Sequence, residues 1–379
     1  MTKSLALLTM PLLSIACTMS PPEPSLIHID VFQAGKEGYH TYRIPVVETG
    51  PDGSLMVFAE GRKYNRHDPG THQNDIDLVY KRSTDNGKTW SKMIVLDDPG
   101  ERWASCNPVT VVDRTTGRIW LLHGRTKPDR SSVTARAGTD DSQAWVRYSD
   151  DNGMNWSEPL DITMVVRDFE NWRGTFFGPG GAIQDKKGRL IVPVSQTTGK
   201  MDVQGKQDYG YWTAFVIYSD DHGETWERGQ LVAGLPTSEN QLVELSDGTI
   251  LMDARQDNGS NRWLTISSDR GETWSPLKIG QLVPPVATGI ERYSMKSAGD
   301  DRNRILWTGP KGPGRKTLVI RVSYDEGKTY TNERVISKEK AAYSDLTILK
   351  DNWAGVIWER GDYAFVTFSR FNLAFLEQD

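Results

Sequence analysis

The chain has 379 residues, 37 % hydrophobic and 25 % charged, with a formal net charge of −5. That balance supports a sizeable core and offers no basic cluster or Arg/Lys-rich helix, which excludes a nucleic-acid-binding surface. The 13 Trp, 13 Tyr and 35 Gly favour aromatic strands joined by frequent turns, hence an all-β chain, and two Cys make no disulfide framework.

Residues 1–20 read as an export signal, with Lys3 supplying positive charge and Ser4 to Ala16 an apolar run too short to span a bilayer. The stretch Leu13-Ser14-Ile15-Ala16-Cys17 resembles a bacterial lipoprotein cleavage site, with Ser14 where such sites prefer Leu. That resemblance implies a lipid on Cys17 and residence in the periplasm, on the outer membrane or at the cell surface. Simple cleavage near Ser20 is the alternative. Cys106 then has no partner and no His in a recognisable relation to it, so it is expected to be buried and structural. Residues 21–379 contain no linker or low-complexity stretch and are expected to form one domain.

The first strand expected is Leu26-Ile27-His28-Ile29-Asp30-Val31, paired with the end of the chain. Tyr42-Arg43-Ile44-Pro45 follows; an Arg between apolar strand residues is buried and requires an anionic partner. Phe58-Ala59-Glu60-Gly61-Arg62 leads into a loop, Tyr64 to Gly70, that carries His67 and Asp68; Asp75 lies just beyond it. An octapeptide then recurs five times: STDNGKTW from Ser83, SDDNGMNW from Ser149, SDDHGETW from Ser219, SSDRGETW from Ser267 and SYDEGKTY from Ser323. A β-branched or aromatic run precedes each copy. The Asp can bond backbone N–H groups of a turn, the Gly can take positive φ, and the aromatic is expected to re-enter the sheet. No copy has the alternating acidic ligands and terminal Glu of an EF-hand. Repeats at this spacing predict one propeller blade each, and Ala341 to Leu376 supplies strands for one more. The expected architecture is a six-bladed β-propeller of four-stranded antiparallel sheets, in which closure leaves only short sheet edges.

Inner strands of a propeller line a central funnel, so charged residues at blade starts are the candidates for chemistry. They are Glu239 and, in the same segment, Glu244; Arg255 on the adjoining strand; Arg315, expected to open the inner strand of the fifth blade; and Tyr343, opening the sixth. Gly178-Pro179-Gly180-Gly181 reads as a tight turn near the funnel, since it lacks the Lys-Ser/Thr of a phosphate loop.

The octapeptide resembles the Asp box of sialidases, a structural turn that the family places opposite its active site. Tyr42-Arg43-Ile44-Pro45, Phe58 to Arg62, Glu239-Asn240-Gln241 with Ala254-Arg255, Arg315, and Tyr343-Ser344-Asp345-Leu346 also resemble the family's motifs, in its order, across residues 25–376. The resemblance implies that Arg43, Arg255 and Arg315 grip the sialic acid carboxylate, as planar guanidinium groups do. It implies Tyr343 as nucleophile, a known exception to the two-carboxylate rule of glycosidases. A carboxylate in that place would be repelled by the substrate's own. A phenol of ordinary pKa ~10 needs a base to attack at neutral pH. The resemblance gives that task to Glu239, with Glu244 as competitor. Asp68 becomes the acid/base for the leaving group, with Asp75 as rival and His67 a mere neighbour. Arg62 and Asn107 fall where the family contacts the ring hydroxyl beside the N-acetyl group, although many members carry Asp at the second position. Glu359 falls where an acid holds Arg43. The implied activity is retaining exo-α-sialidase hydrolysis of sialylated glycans and glycoproteins through a tyrosyl–sialosyl intermediate, by a monomer without metal or organic cofactor. A trans-sialidase, an intramolecular trans-sialidase and a non-catalytic glycan-binding propeller are the alternatives.

Overall fold

The computed structural model describes residues 22–198, 212–256 and 259–378. The export segment 1–20 and the lipidation candidate Cys17 lie outside the described residues.

Strands pair antiparallel with their sequence neighbours in successive meanders. The first runs through Thr41–Thr49, Leu55–Arg62, Ile76–Ser83 and Ile94–Asp97; the second through Ala104–Val112, Ile119–Thr126, Ser142–Ser149 and Leu160–Asp161. Gly174–Phe177, Leu190–Thr197, Trp212–Ser219 and Glu227–Arg228 make the third. Asn240–Glu244, Ile250–Arg255, Asn261–Ser267 and Lys278–Leu282 follow, then Gly289–Ser294, Arg304–Pro310 and Lys316–Ser323. The long strand Asn332–Ile348 completes that meander with its first half and opens the last with its second. Trp353–Arg360 and Phe365–Asn372 continue it, and Leu26–Gln33 pairs antiparallel with Phe365–Asn372, so the two chain ends share one sheet as expected.

Middle strands are buried on both faces, which is why the first five residues of Leu55–Arg62 and of Leu190–Thr197 read as unbroken apolar runs instead of alternating ones. Each face belongs to a cluster shared with the neighbouring meander. Met56, Phe58, Ile119 and Leu121 join the first to the second. Val109, Leu122, Phe177 and Val194 join the second to the third. Val57, Val366 and Phe368 join the first to the last.

All five octapeptides form one turn. In the first, the Ser83 hydroxyl accepts from the Gly87 N–H at 2.9 Å, while Asp85 accepts from the Thr89 N–H at 2.9 Å and its hydroxyl at 2.6 Å. Positive φ falls on two residues, Gly87 at 77° and Asn86 before it at 63°. The glycine is required for space as well, because a Cβ on Gly87 would stand 2.3 Å from the Phe368 ring, and one on Gly223 as close to Trp120. Each box therefore butts against the preceding meander, the first box against the last. The aromatics do not re-enter a sheet as expected. Trp90 and its counterparts lie between turn and outer strand and pack onto the core from there, because the turn ends before pairing resumes.

A second expectation also needs correction. Arg315 does not open an inner strand; it precedes Lys316–Ser323, the third strand of its meander, and the innermost is Gly289–Ser294. The five-residue strand Asn240–Glu244 and Gly289–Ser294 carry neither a box nor a long apolar run, so they gave little signal.

Innermost strands of adjacent meanders lie side by side, Thr41–Thr49 touching both Ala104–Val112 and Asn332–Ile348. These three break register by a bulge, near the strand start between Arg43 and Val46 and between Cys106 and Val109, and midway along the long strand between Ala341 and Ser344. A bulge bends the strand and re-aims a side chain. Here it acts on Arg43, Asn107 and Tyr343.

Candidate active site

Arg43 is the most heavily determined of these residues. Its guanidinium donates to both oxygens of Glu359, from Nε at 2.9 Å and Nη2 at 3.3 Å. Glu359, buried at the end of the strand Trp353–Arg360, also accepts the N–H groups of Ile44 at 3.0 Å and Tyr343 at 3.1 Å. One carboxylate thus ties two bulged strands together. Ile44 holds φ of 52°, a sterically costly angle for a β-branched residue, and Glu359 is the group that rewards it. The expected anionic partner of Arg43 is therefore present.

Tyr343, 6 % exposed, points its hydroxyl at Glu239, donating to Oε1 at 2.5 Å. Arg255 Nη1 donates to the same hydroxyl at 2.8 Å and to Glu239 Oε2 at 2.7 Å. The guanidinium carbons of Arg43 and Arg315 stand 5.1 Å and 5.5 Å from the ring centroid. Three arginines from three meanders therefore converge on one phenol. Burial and the Glu239 carboxylate push the Tyr343 pKa well above the usual 10, against the lowering pull of Arg255, Arg43 and Arg315. At neutral pH the phenol keeps its proton, and that proton already faces a carboxylate.

Asp68 reaches over from its loop, its carboxylate 3.1 Å from Arg62 Nη1 and 3.3 Å from Arg43 Nη1. Its side chain is 71 % exposed, open to the mouth of the site. Partial desolvation works to raise its pKa, but Arg62 and Arg43 outweigh that and hold it below the usual 3.8. Arg62 is buried and bonded to Glu60, which also accepts the Asn107 N–H at 3.0 Å. Glu60 and Arg62 are two apart on one strand and so share a face, a pairing the sequence could have signalled.

These groups border a cavity of about 280 Å³ that runs from Arg255, Glu239 and Tyr343 past Asp68, Arg62 and Asn107. The competing candidates fall elsewhere. Asp75 is buried beside Lys63 and accepts the Arg102 N–H. Glu244 accepts the Lys186 N–H at the opposite end of its strand. His67 stacks on His72 at 3.7 Å between ring centroids. Cys106 is 3 % exposed, and burial raises its pKa, which suits a structural residue and not a nucleophile. The Gly178 to Gly181 turn lies against the strand Asn240–Glu244, where Gln241 donates to the Pro179 carbonyl. Tyr363 was missed: its hydroxyl accepts from Arg315 at 2.8 Å and its ring lies 4.5 Å under the Arg43 guanidinium. It occupies a hairpin turn at φ of 70°, and nothing in its local sequence marks it.

A family model described as a BNR repeat-like domain matches residues 53–357. A sialidase of Micromonospora viridifaciens is 32 % identical over 97 % of this chain, which spans 57 % of that relative's length. A Clostridium perfringens sialidase is 30 % identical over 84 % of this chain and 86 % of its own length. Among solved structures, the Hadza microbial sialidase Hz136 superposes with a TM-score of 0.82 at 26 % identity, covering 92 % of this chain and 69 % of that one. An intramolecular trans-sialidase from Ruminococcus gnavus, at 19 % identity and a TM-score of 0.76, shares the fold. The fold is all-β and of the propeller type. With the family model spanning most of the sequence and a relative of similar extent at 30 % identity, the chain belongs to the sialidase family.

Proposed function

We propose that this protein is an exo-α-sialidase, hydrolysing terminal α-ketosidically linked sialic acid from glycans and glycoproteins with retention. The observation that carries the reading is the Tyr343–Glu239 hydrogen bond of 2.5 Å beneath three guanidinium groups. Arg43, Arg255 and Arg315 bind the substrate carboxylate and bring the anomeric carbon over the Tyr343 oxygen. That oxygen attacks as its proton passes to Glu239, so nucleophilic charge forms only in the transition state. The bond to the leaving oxygen breaks as Asp68 protonates it. In the second half-reaction water attacks the anomeric carbon, Asp68 takes its proton, and Glu239 returns a proton to the departing phenolate. Asp68 is ionised in the free protein. Substrate covers its exposed side and draws Arg43 toward its own carboxylate, which leaves desolvation to raise the Asp68 pKa toward that of an acid.

The same reading takes the fold as six four-stranded blades closed in a ring. Its support is a second cavity, of about 440 Å³, lined by Glu48, Val111, Ile183, Val243, Glu291 and Leu346, one residue from each successive meander. Apolar packing of the first meander on the last adds to it. Export, lipid attachment at Cys17 and a monomeric state are proposed from the sequence alone.

Release of umbelliferone from its α-sialoside tests the activity. Wild type should release α-sialic acid first, and Tyr343→Phe should lose on the order of 10³-fold in kcat. A β-anomer as first product would overturn retention. An anhydro or transferred sialoside would favour the transferase alternatives. A folded wild type without turnover would favour the glycan-binding one.

A further inference from the structure

Residues 360–365 close the hairpin between Trp353–Arg360 and Phe365–Asn372, with Arg360 opposite Phe365. Three consecutive residues of its turn, Gly361, Asp362 and Tyr363, hold left-handed φ angles of 65°, 59° and 70°. Glycine takes that conformation freely and Asp tolerates it, but on an aromatic residue it is costly. The turn keeps it because both shoulders are pinned. The Gly361 N–H donates to the Lys340 carbonyl at 2.9 Å, and the Ala364 carbonyl accepts from the Ala34 N–H at 2.9 Å. Backbone strain over-determined in this way is a sign of function, and what it places here is the Tyr363 side chain.

That side chain meets two of the three arginines around Tyr343. Its ring centroid lies 4.5 Å from the Arg43 guanidinium carbon, and its hydroxyl accepts from Arg315 Nη1 at 2.8 Å. The three arginines differ in what holds them. Arg43 and Arg255 each contact a carboxylate, Glu359 at 2.9 Å and Glu239 at 2.7 Å. Arg315 instead rests on two neutral oxygens, the Tyr363 hydroxyl and the Pro285 carbonyl at 3.0 Å. Acids are nevertheless close, since Glu359 and Asp362 border the same small cavity of about 60 Å³ as Arg315 and Tyr363. A guanidinium without a fixed neutral acceptor would turn toward one of them, because charge-assisted hydrogen bonds are the stronger ones. Asp362 is itself drawn to other cations, Lys340 at 3.2 Å and Arg66 at 3.8 Å.

We propose that Tyr363 is a positioning residue: its hydroxyl holds Arg315, and its ring holds Arg43, where both meet the carboxylate of the substrate. This role rests on the sialidase reading above. A phenol fixes the guanidinium without neutralising it, so the charge of Arg315 stays available to the sugar. Tyr363 acts through the arginines and needs no contact with the substrate. The carboxylate is bound alike before and during the reaction, so a loosened Arg315 weakens binding more than turnover.

Steady-state kinetics on the umbelliferyl α-sialoside test this role. Tyr363→Phe keeps the ring that packs on the cluster of Ile44, Ala342 and Tyr343, and removes only the hydroxyl, so folding is retained. KM should rise roughly tenfold, the low end for one hydrogen bond to a charged group, while kcat falls by no more than about twofold. Inhibition by 2,3-dehydro-sialic acid, which keeps the carboxylate, should weaken in parallel. Tyr363→Leu also removes the ring beside Arg43 and should raise KM further. A tyrosine that only packs would instead lower the active fraction, so that kcat falls at constant KM. That pattern, or a Phe variant with the wild-type KM, would overturn the positioning role while umbelliferone release by wild type still upheld a sialidase. A folded wild type without release would overturn the sialidase reading and this role with it.

Discussion

The two ends of the innermost strands solve the problem of buried charge in opposite ways. At their starts, arginines and carboxylates stand in matched contact: Arg43 with Glu359, Arg62 with Glu60, Arg255 with Glu239. At their ends, Glu48, Glu291 and Asp345 border the second cavity. Burial there raises their pKa values to about 7, 8 and 7, beyond what backbone and side-chain hydrogen bonds and Arg114 offset. One end thus pairs each carboxylate with an arginine around a shared cavity. The other lifts its carboxyls into the neutral range, because burial outweighs hydrogen bonds and the pull of Arg114. The sheets are shared, so the difference comes from which side chains the strand ends carry. Repetition follows the same division: the five boxes repeat and hold meanders together, while none of the described residues that hydrogen-bond Tyr343 belongs to a repeat.

The sharpest way to break this comparison is Glu359→Gln. It leaves the shape but removes the charge that holds Arg43, Ile44 and Tyr343. The expected loss in kcat/KM is roughly 10²-fold, read on the umbelliferyl glycoside with folding checked by circular dichroism. Full activity would mean that Arg43 is placed by its strand alone. Asp221→Ala addresses the repeats, since Asp221 binds Ser219 and Thr225 within one box. It should lower Tm by about 2–4 °C and leave kcat/KM within about twofold. A larger fall in activity would tie the boxes to catalysis. Glu291→Gln probes the second cavity. Its carboxyl stays protonated in the folded state while the unfolded chain, at the ordinary 4.5, has released the proton. The stability it contributes is full below that value and lost as pH rises through about 8. The amide variant should therefore gain on wild type between pH 5 and 8, by about 1–2 °C in Tm since the cavity admits water. A constant difference would show the group ionised throughout.

Much of the site was legible because its residues sit in short motifs at strand starts. Arg43 between apolar neighbours demanded an acid, and Glu359 supplied it from the far end of the chain. The choice between rival carboxylates was not legible. Glu239 and Glu244 belong to one segment, but a strand rises ~3.3 Å per residue, so five residues carry them to opposite ends of the inner wall. Asp68 and Asp75 flank one loop, yet only the fold shows that Lys63 and the Arg102 backbone claim Asp75 while Asp68 faces the cavity.

By itself the sequence determined the all-β class, the five structural turns, the joined chain ends and most of the side chains around Tyr343, because turn chemistry and strand patterning act over a few residues. Tertiary structure alone decided the innermost strand beside Arg315 and the recruitment of Tyr363. Each of these arises from register and packing between distant strands, which no local pattern encodes.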